Sequence, residues 1–190
     1  STLSMSIFNQ GNLIIDNPTT NIDQTPTIAS IYISDFSVEE SVIESFEISN
    51  NGNVSMKAPR LSHPLSVCSI FMDADFDTSP LSLFKANTMG NATLAVDSIS
   101  PPGHTETALV NVAIYFDNVY DDIPFEIHAH GNATNKIGDA AGIIANMKFR
   151  FNGKSLLDTP NTHTNGILPR GSYSEPIIRG PIHYEGTVSA

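Results

Sequence analysis

The chain has 190 residues, of which 40% are hydrophobic and only 15% are charged, and its formal net charge is -11. This length favours one domain with one core, and the acidic balance excludes strong nucleic-acid binding through a concentrated basic patch. The single cysteine, Cys68, excludes an internal disulfide framework and a multi-cysteine zinc site, and its apolar neighbours indicate a buried thiol. No apolar run approaches the roughly 20 residues of a membrane-spanning helix, and we expect no membrane contact.

Short alternating segments predict strands along the first half of the chain. Residues 1–26 contain one short apolar stretch, GNLIIDN, which predicts an extended arm or an edge strand. From Thr27, the segment TIASIYISDF places hydrophobic residues at every second position, which predicts a half-buried strand. The segments SFEISN and NVSMKAP flank Asn51 and Gly52, a pair that favours tight turns, so these segments are predicted to form a hairpin.

The second half of the chain continues this pattern. VCSIFMDADFD begins as a buried strand, and LSLFKAN and ATLAVDSIS are further short strands. TALVNVAIYFDNVY is the clearest strand, because Val110, Val112, Ile114 and Phe116 share one face. PFEIHAH, IANMKFRFNGK and PIHYEGTV are predicted strands, and NKIGDAAGII is predicted to form a helical turn or a loop. The Pro, Thr, Asn and Gly content after Asp158 predicts a tail that lies along the surface.

These elements together predict an all-β fold. Eight or nine short strands without a long helix exclude parallel α/β folds, whose crossovers are usually helices. We therefore predict an antiparallel jelly-roll β-sandwich with extended N- and C-terminal arms. The predicted boundaries are an N-terminal arm at 1–26, the sandwich at 27–157, and a C-terminal extension at 158–190 that packs on the domain or on neighbouring subunits.

Motifs for catalysis are missing from the sequence. There is no Gly-x-Ser-x-Gly nucleophile elbow and no Gly-x-Gly-x-x-Gly phosphate loop, so we expect neither an enzyme nor a cofactor. Asp73, Asp75 and Asp77 have the spacing that opens a helix-loop-helix calcium loop, but Thr78 and Phe84 stand where its glycine and glutamate belong. A looser calcium site completed by another chain remains an alternative.

The stretch FEIHAHGN is the most enzyme-like feature of the chain. In an extended strand, Glu126, His128 and His130 share one face, which is either a metal-binding pair with a third ligand or a polar row facing solvent or a neighbouring subunit. Metal-binding cupins place a glutamate shortly after such a His-x-His pair, and this chain has none there. We therefore prefer the polar row and predict no metal, with His163 and His183 as candidates to complete a site if one exists.

Residues 80–127 carry a resemblance to a known family. The segment PLSLFKANTMGNATLAVDSISPPGHTETALVNVAIYFDNVYDDIPFEI has a glycine before a short strand, a Pro/Thr-rich loop, a long alternating strand, and then an acidic turn with a proline. This order resembles the closing strands of picornavirus-like capsid jelly rolls, and the chain is similar in size to the smallest coat protein of plant secoviruses of the cheravirus type. The resemblance implies a structural coat-protein subunit of an icosahedral RNA virus, located in the virion, with other capsid subunits as partners and at most weak contact with genomic RNA.

Two alternatives to a coat protein stay open. The first is a secreted or surface β-sandwich binding module of the lectin-like kind, which would use exposed aromatic rings. In such a protein the Asn-x-Ser/Thr sequons at Asn53, Asn91 and Asn132 would matter, although we attribute them to chance in a chain rich in these residues. The second alternative is a jelly-roll metalloprotein that uses His128 and His130.

Overall fold

Nearly all of the residues that the structure describes lie in fifteen β-strands. The computed structural model describes residues 2–16, 27–37, 42–61, 65–75, 81–99, 106–119, 122–137, 141–152, 154–158, 177–178 and 182–188, and these contain no helix. The strands are β1 Thr2–Asn9, β2 Leu13–Asp16, β3 Thr27–Ser37, β4 Val42–Asn50, β5 Val54–Leu61, β6 Leu65–Asp75, β7 Phe84–Thr88, β8 Ala92–Ile99, β9 Glu106–Asp117, β10 Ile123–Ala129, β11 Ala133–Ile137, β12 Ala141–Phe151, β13 Lys154–Asp158, β14 Ile177–Ile178 and β15 Ile182–Val188.

The strands form three five-stranded sheets in which every third strand is a neighbour. Sheet 1 has the order β1-β4-β7-β10-β15, sheet 2 has β14-β11-β8-β5-β2, and sheet 3 has β13-β12-β9-β6-β3. The chain therefore visits sheets 1, 2 and 3 in turn and returns to sheet 1 one strand further along. Four such coils are β1–β3, β4–β6, β7–β9 and β10–β12, and their strands pair in parallel. This arrangement is a parallel β-solenoid.

The last three strands close one end of the solenoid. The strands β13, β14 and β15 pair antiparallel with β12, β11 and β10, so each sheet of the fourth coil receives one further strand. We call these three strands the cap. At the opposite end, β1, β2 and β3 stand at the edges of their sheets, and no described residue pairs with their outer sides.

A Gly-Asn pair forms the corner between sheets 1 and 2 in every coil. The pairs are 41, 38 and 41 residues apart, at Gly11-Asn12, Gly52-Asn53, Gly90-Asn91 and Gly131-Asn132. The asparagines form a ladder in which the side-chain Oδ1 of one coil accepts a hydrogen bond from the backbone N–H of the next asparagine, at 2.8–2.9 Å. These bonds hold successive corners in register. At each corner the asparagine side chain supplies the acceptor for the backbone N–H of the next coil, in place of a backbone carbonyl.

The described core has two large clusters inside the coils and a third, small one of Cys68, Val110 and Ala113 with Phe71 and Tyr115 packed against it. The larger cluster packs sheet 1 against the C-terminal parts of the sheet 3 strands, with Phe46, Phe84 and Phe116 fully buried. The second large cluster packs sheet 2 against the N-terminal parts of the same strands. The ring centroids of Phe84 and Phe116 are 4.9 Å apart in an edge-to-face arrangement, and those of Phe116 and Phe149 are 5.5 Å apart. Aromatic rings from neighbouring coils thus fill the axis of the larger cluster.

A buried polar row lines the inner side of the Gly-Asn corners. The Asn50 Nδ2 group donates to the Gly52 carbonyl at 2.9 Å, and the Asn9 Nδ2 group donates to Asn50 Oδ1 at 2.8 Å. In the fourth coil Ala129 occupies the equivalent position and offers no donor. The Asn111 Nδ2 group takes over this function and donates to the Gly131 carbonyl at 2.9 Å. The buried corner carbonyls of Gly52 and Gly131 thus each accept a hydrogen bond from an asparagine side chain.

The structure confirms the all-β class and corrects the predicted topology. Nine of the twelve strand pairings are parallel, so the described strands do not form an antiparallel jelly roll. The crossover between parallel partners is a whole coil of strands, and for this reason no helix is needed. The predicted hairpin at Asn51 and Gly52 is also wrong, because β4 and β5 belong to different sheets and do not pair.

Described strands within both predicted terminal segments pair with strands of the coils. The strands β1 and β2 lie within the proposed arm at 1–26, yet they pair with β4 and β5 as part of the first coil. The strands β14 and β15 lie within the proposed extension at 158–190 and form part of the cap. NKIGDAAGII contributes to β11 and β12 and contains no described helical turn. The expected last strand in PIHYEGTV is confirmed as β15.

Candidate functional site

The outer face of sheet 1 carries the histidines of FEIHAHGN. Along β10 the side chains of Ile123, Ile127 and Ala129 are buried in the core, while Glu126 and His128 are partly exposed on the opposite face. His130 follows the strand and is exposed. The predicted alternation is therefore confirmed, and these polar side chains share one face because successive residues of a strand point in opposite directions.

The cap brings His183 to this face. In the antiparallel pair of β10 and β15, His128 lies opposite His183, and Glu126 lies opposite Glu185. The two Nδ1 atoms of His128 and His183 are 2.7 Å apart, and the ring centroids are 3.9 Å apart. Glu126, His128 and His183 each offer one ligand atom within 4.8 Å of the other two. We call Glu126, His128, His183 and Glu185 the histidine cluster.

Carboxylates lie at both ends of this pair of rings. The Oε1 atom of Glu126 is 2.6 Å from His128 Nε2, and the Oε2 atom of Glu185 is 3.3 Å from His183 Nε2. The four groups thus form a row in the order carboxylate, imidazole, imidazole, carboxylate. The side chains are 26% exposed for His128, 35% for Glu126 and 40% for His183, so solutes can reach the row from solvent.

The Glu126 carboxyl has a perturbed acidity. The hydrogen bond with His128 lowers the pKa of Glu126 below its usual range, and partial desolvation opposes this effect. The charges of His128, Lys85 and His183 contribute to the lowering. Glu126 therefore stays ionised and remains an acceptor for the His128 ring at neutral pH.

The other described histidine of this face, His130, takes no part in the cluster. The His130 ring stacks on His128 with parallel planes and a centroid separation of 5.7 Å, so its nitrogens do not converge with the others. His163 lies outside the described residues. The sequence hypothesis that His128 and His130 act as a pair is thus replaced by a pair across two strands, His128 and His183.

A shallow depression of about 230 Å³ lies beside the cluster on the same face. It crosses β4, β7 and β10 and is lined by Glu47, Lys85, Ala86, Asn87, Glu126, His128 and His130. The Oδ1 atom of Asn87 is buried there, and no described residue hydrogen-bonds to it. Asn87 pairs with His128 in the register of β7 and β10, so this acceptor lies on the strand next to the cluster.

The acidic candidates do not converge on a metal site among the described residues. Asp73 and Asp75 lie on the outer face of β6, and Asn118 Nδ2 donates a hydrogen bond to Asp75 at 2.9 Å. Asp77 lies outside the described residues. In the part of the chain that the structure describes, the one group of three potential ligands is that of Glu126, His128 and His183. The looser calcium site thus gains no geometric support from Asp73 and Asp75.

The uncapped end of the solenoid is the second notable surface. Each strand of the first coil carries one exposed large hydrophobic side chain, namely Phe8 on β1 (56% exposed), Ile14 on β2 (72%) and Tyr32 on β3 (54%). The inward-facing Met5, Ile7, Leu13 and Ile15 are only partly buried, whereas their equivalents in the second coil are fully buried. We call this surface, made by the outer edges of β1, β2 and β3, the open end.

Two other sequence expectations have defined outcomes. Cys68 is buried, as predicted. The sequons at Asn53, Asn91 and Asn132 occupy equivalent places in successive coils, so their spacing follows from the repeat and is not a coincidence of composition. Within the described residues, no helix has the length and apolar character to cross a lipid bilayer.

Comparison with protein-family models, with curated proteins and with solved structures gives no match for this chain.

Proposed function

We propose that the protein is a structural subunit, without a catalytic role, that assembles with other subunits through the open end of its solenoid. The observation that carries this proposal is the first coil, whose three strands have outer edges that no described residue pairs. Unpaired N–H and C=O groups along an edge strand are a template for a further strand. The exposed Phe8, Ile14 and Tyr32 would be covered by such an addition.

The interior of the first coil supports the same proposal. Ile7 and Ile15 point toward the core but remain partly exposed, because no described strand covers them from the outer side. Burial of apolar surface contributes roughly 25 cal/mol per Å², so a subunit that stacks on this coil gains stability from side chains already in place. The partner that fits is another structural subunit that supplies backbone edges and apolar side chains.

The sequence resemblance favours one particular assembly, the shell of an icosahedral picorna-like RNA virus. In this form of the proposal the protein is a coat-protein subunit of the virion, and its partners are further capsid subunits. The resemblance also implied a jelly roll, whereas the described strands form parallel coils. The proposal of a viral shell is therefore supported by the sequence pattern of residues 80–127 and by the open end. The net charge of -11 is consistent with at most weak contact with genomic RNA.

Co-expression with candidate partner coat proteins tests the proposal. Closed particles that contain the chain, seen by electron microscopy, are the expected result for a shell subunit. Open filaments or small oligomers would overturn the shell and leave the structural subunit standing. A chain that stays monomeric at all concentrations, alone and with its partners, would overturn both parts of the proposal.

A pair of substitutions locates the contact. Ile14→Lys places a charge on the outward face of the edge strand β2, beside the position of an added strand, and we expect it to weaken association while the monomer stays folded. Met89→Lys is the matched control, because Met89 is 53% exposed but lies in the turn after β7, away from the open end. Equal association of both variants, measured by sedimentation, would contradict the assignment of the interface.

A binding module is the second candidate, and an aromatic row favours it. On the outer face of sheet 3, the Tyr32 and Phe71 rings stack at 5.0 Å, and Tyr115 meets Phe71 edge-to-face at 5.6 Å. The Arg150 guanidinium lies 4.3 Å from the centre of the Tyr115 ring. Tyr32 is exposed, while Phe71 and Tyr115 are partly buried against Cys68, Val110 and Ala113. An exposed aromatic ring such as that of Tyr32 can stack on a sugar ring. Saturation-transfer NMR with oligosaccharides tests this function, and loss of a signal in Tyr32→Ala would support it over assembly.

A further inference from the structure

The two imidazole rings of the histidine cluster meet nitrogen to nitrogen. The Nδ1 atoms of His128 and His183 are 2.7 Å apart, Glu126 Oε1 is 2.6 Å from His128 Nε2, and Glu185 Oε2 is 3.3 Å from His183 Nε2. A neutral imidazole carries one N–H group, on either of its two nitrogens. If each ring carries it on Nε2, facing its carboxylate, the two Nδ1 lone pairs converge on one point, as those of two metal ligands do.

From this geometry we propose that His128 and His183 bind a divalent transition-metal ion of the zinc class through their Nδ1 atoms. Glu126 and Glu185 are positioning residues that accept the Nε2–H groups and hold both rings in the tautomer that leaves Nδ1 free. A carboxylate behind a metal-bound imidazole is the usual arrangement in zinc sites. Water fills the remaining coordination positions, since the cluster is partly exposed.

The required movement is small. Two nitrogens at about 2.0–2.1 Å from a tetrahedral zinc ion are about 3.3 Å apart. The Nδ1 atoms are now 2.7 Å apart, so they must separate by about 0.6 Å, which side-chain rotation on an exposed face can supply. Imidazole ligands favour zinc, copper and nickel over calcium and magnesium, which prefer oxygen.

The consequence of binding is a clamp on the cap. His128 belongs to the fourth coil and His183 to β15, and these residues are 55 positions apart in the sequence. A metal held by both would tie β15 to β10 beyond their backbone hydrogen bonds. This inference is independent of the proposed assembly function, because the histidine cluster and the open end lie at opposite ends of the solenoid.

Isothermal titration of the metal-free chain with ZnCl₂ tests the proposal. We expect one zinc ion per chain in the wild type and no comparable binding of CaCl₂. His128→Ala and His183→Ala should each weaken binding by on the order of 100-fold, and Glu126→Gln by about 10-fold, the range seen when a group behind a ligand is changed. His130→Ala is the matched control, because this histidine lies next to His128 but offers no converging nitrogen, and its affinity should be unchanged.

Two further readouts separate a metal site from a structural effect. The ¹⁵N resonances of the Nδ1 atoms of His128 and His183 should shift on zinc addition while both Nε2 atoms remain protonated, and Glu126→Gln should weaken this signature. Hydrogen exchange in 182–188 should slow with zinc in the wild type and in His130→Ala, but not in His183→Ala. Circular dichroism of the metal-free variants shows whether each one is folded.

Three results would overturn the proposal. One is no zinc binding by the wild type at millimolar concentration, which would leave the contact between the two rings as a hydrogen bond without an ion. Another is binding that survives both His128→Ala and His183→Ala, which would place the ion elsewhere. The third is loss of binding in His130→Ala to the same degree as in His128→Ala, which would favour a pair along one strand over the pair across two strands.

Discussion

Gly52 lies so close to the carbonyl oxygen of Gly11 in the preceding coil that no β-carbon fits between them. Gly90 has the same relation to Gly52, and Gly131 has the same relation to Gly90. The corner between sheets 1 and 2 therefore requires glycine wherever another coil lies beneath it, for steric reasons that no side-chain rotation relieves.

Alanine at a stacked corner should destabilise the fold. We expect Gly90→Ala to lower the free energy of unfolding by about 3 kcal/mol, because its methyl group overlaps backbone atoms of Gly52. Gly11→Ala is the matched control, since its β-carbon would meet only Asn9 Oδ1, at an ordinary 3.5 Å. Urea denaturation measures both values, and equal stabilities would contradict the stacked corner.

The Gly11→Ala variant also tests the proposed assembly. If a partner stacks on the open end as one more coil, the methyl group of Gly11→Ala should block it, although the monomer stays folded. We expect the variant to lose association by at least 10-fold in sedimentation experiments with the partner, which corresponds to about 1.4 kcal/mol. Unchanged association would show that the partner does not continue the coil.

The buried polar row should be sensitive to loss of its central member. Asn50 is fully buried and bonds with Asn9, Gly52 and Thr88. Asn50→Ala should cost about 3 kcal/mol in the free energy of unfolding, because the Gly52 carbonyl loses its buried donor. Asn50→Thr should cost less, since Thr88 already occupies this position in the third coil.

Thermal and urea unfolding of these two Asn50 variants measure the difference. Asn9→Ala is the control at the solvent-exposed end of the row, where water can replace the lost bonds, and it should cost less than Asn50→Ala. A larger effect of Asn9→Ala than of Asn50→Ala would show that the row does not stabilise the interior.

The aromatic axis of the larger cluster gives a further test. Phe116 contacts Phe84 and Phe149 and is fully buried, so Phe116→Ala should lower the free energy of unfolding by about 3–5 kcal/mol through the cavity it creates. Phe8→Ala is the control, because its ring is 56% exposed on an edge strand, and it should change stability by less than about 0.5 kcal/mol. Comparable losses in the two variants, measured by urea unfolding, would mean that the core is not centred on Phe116.

Local pattern predicted the strands well but not their partners. The alternation in 106–117 and 123–129 identified β9 and β10 and the outward face of Glu126 and His128, because period-two burial is readable from a single segment. Alternation is the same in parallel and antiparallel sheets, so it could not decide between a sandwich and a solenoid. The deciding signal was the Gly-Asn pair repeated at 11, 52, 90 and 131, a period of about 40 residues typical of repeat architectures.

Sequence reasoning could predict the part of the histidine cluster on β10 but not the contact with β15. Glu126 and His128 are two residues apart, and their shared face follows from strand geometry alone. His183 was one of two candidates for completing a site, and nothing local distinguishes it from His163. Its contact with His128 depends on the antiparallel register of β15, which is set by the cap as a whole.

The distance between two coils along the solenoid axis is a whole number of strand-to-strand spacings. Neighbouring strands in a sheet lie about 4.8 Å apart, so the three steps from β1 to β10 separate the two by about 14 Å. Insertion or deletion of one complete Gly-Asn coil would change that separation by a single step and leave the chemistry of either end intact. The number of coils, each marked in the sequence by one Gly-Asn pair, therefore sets the length of the solenoid.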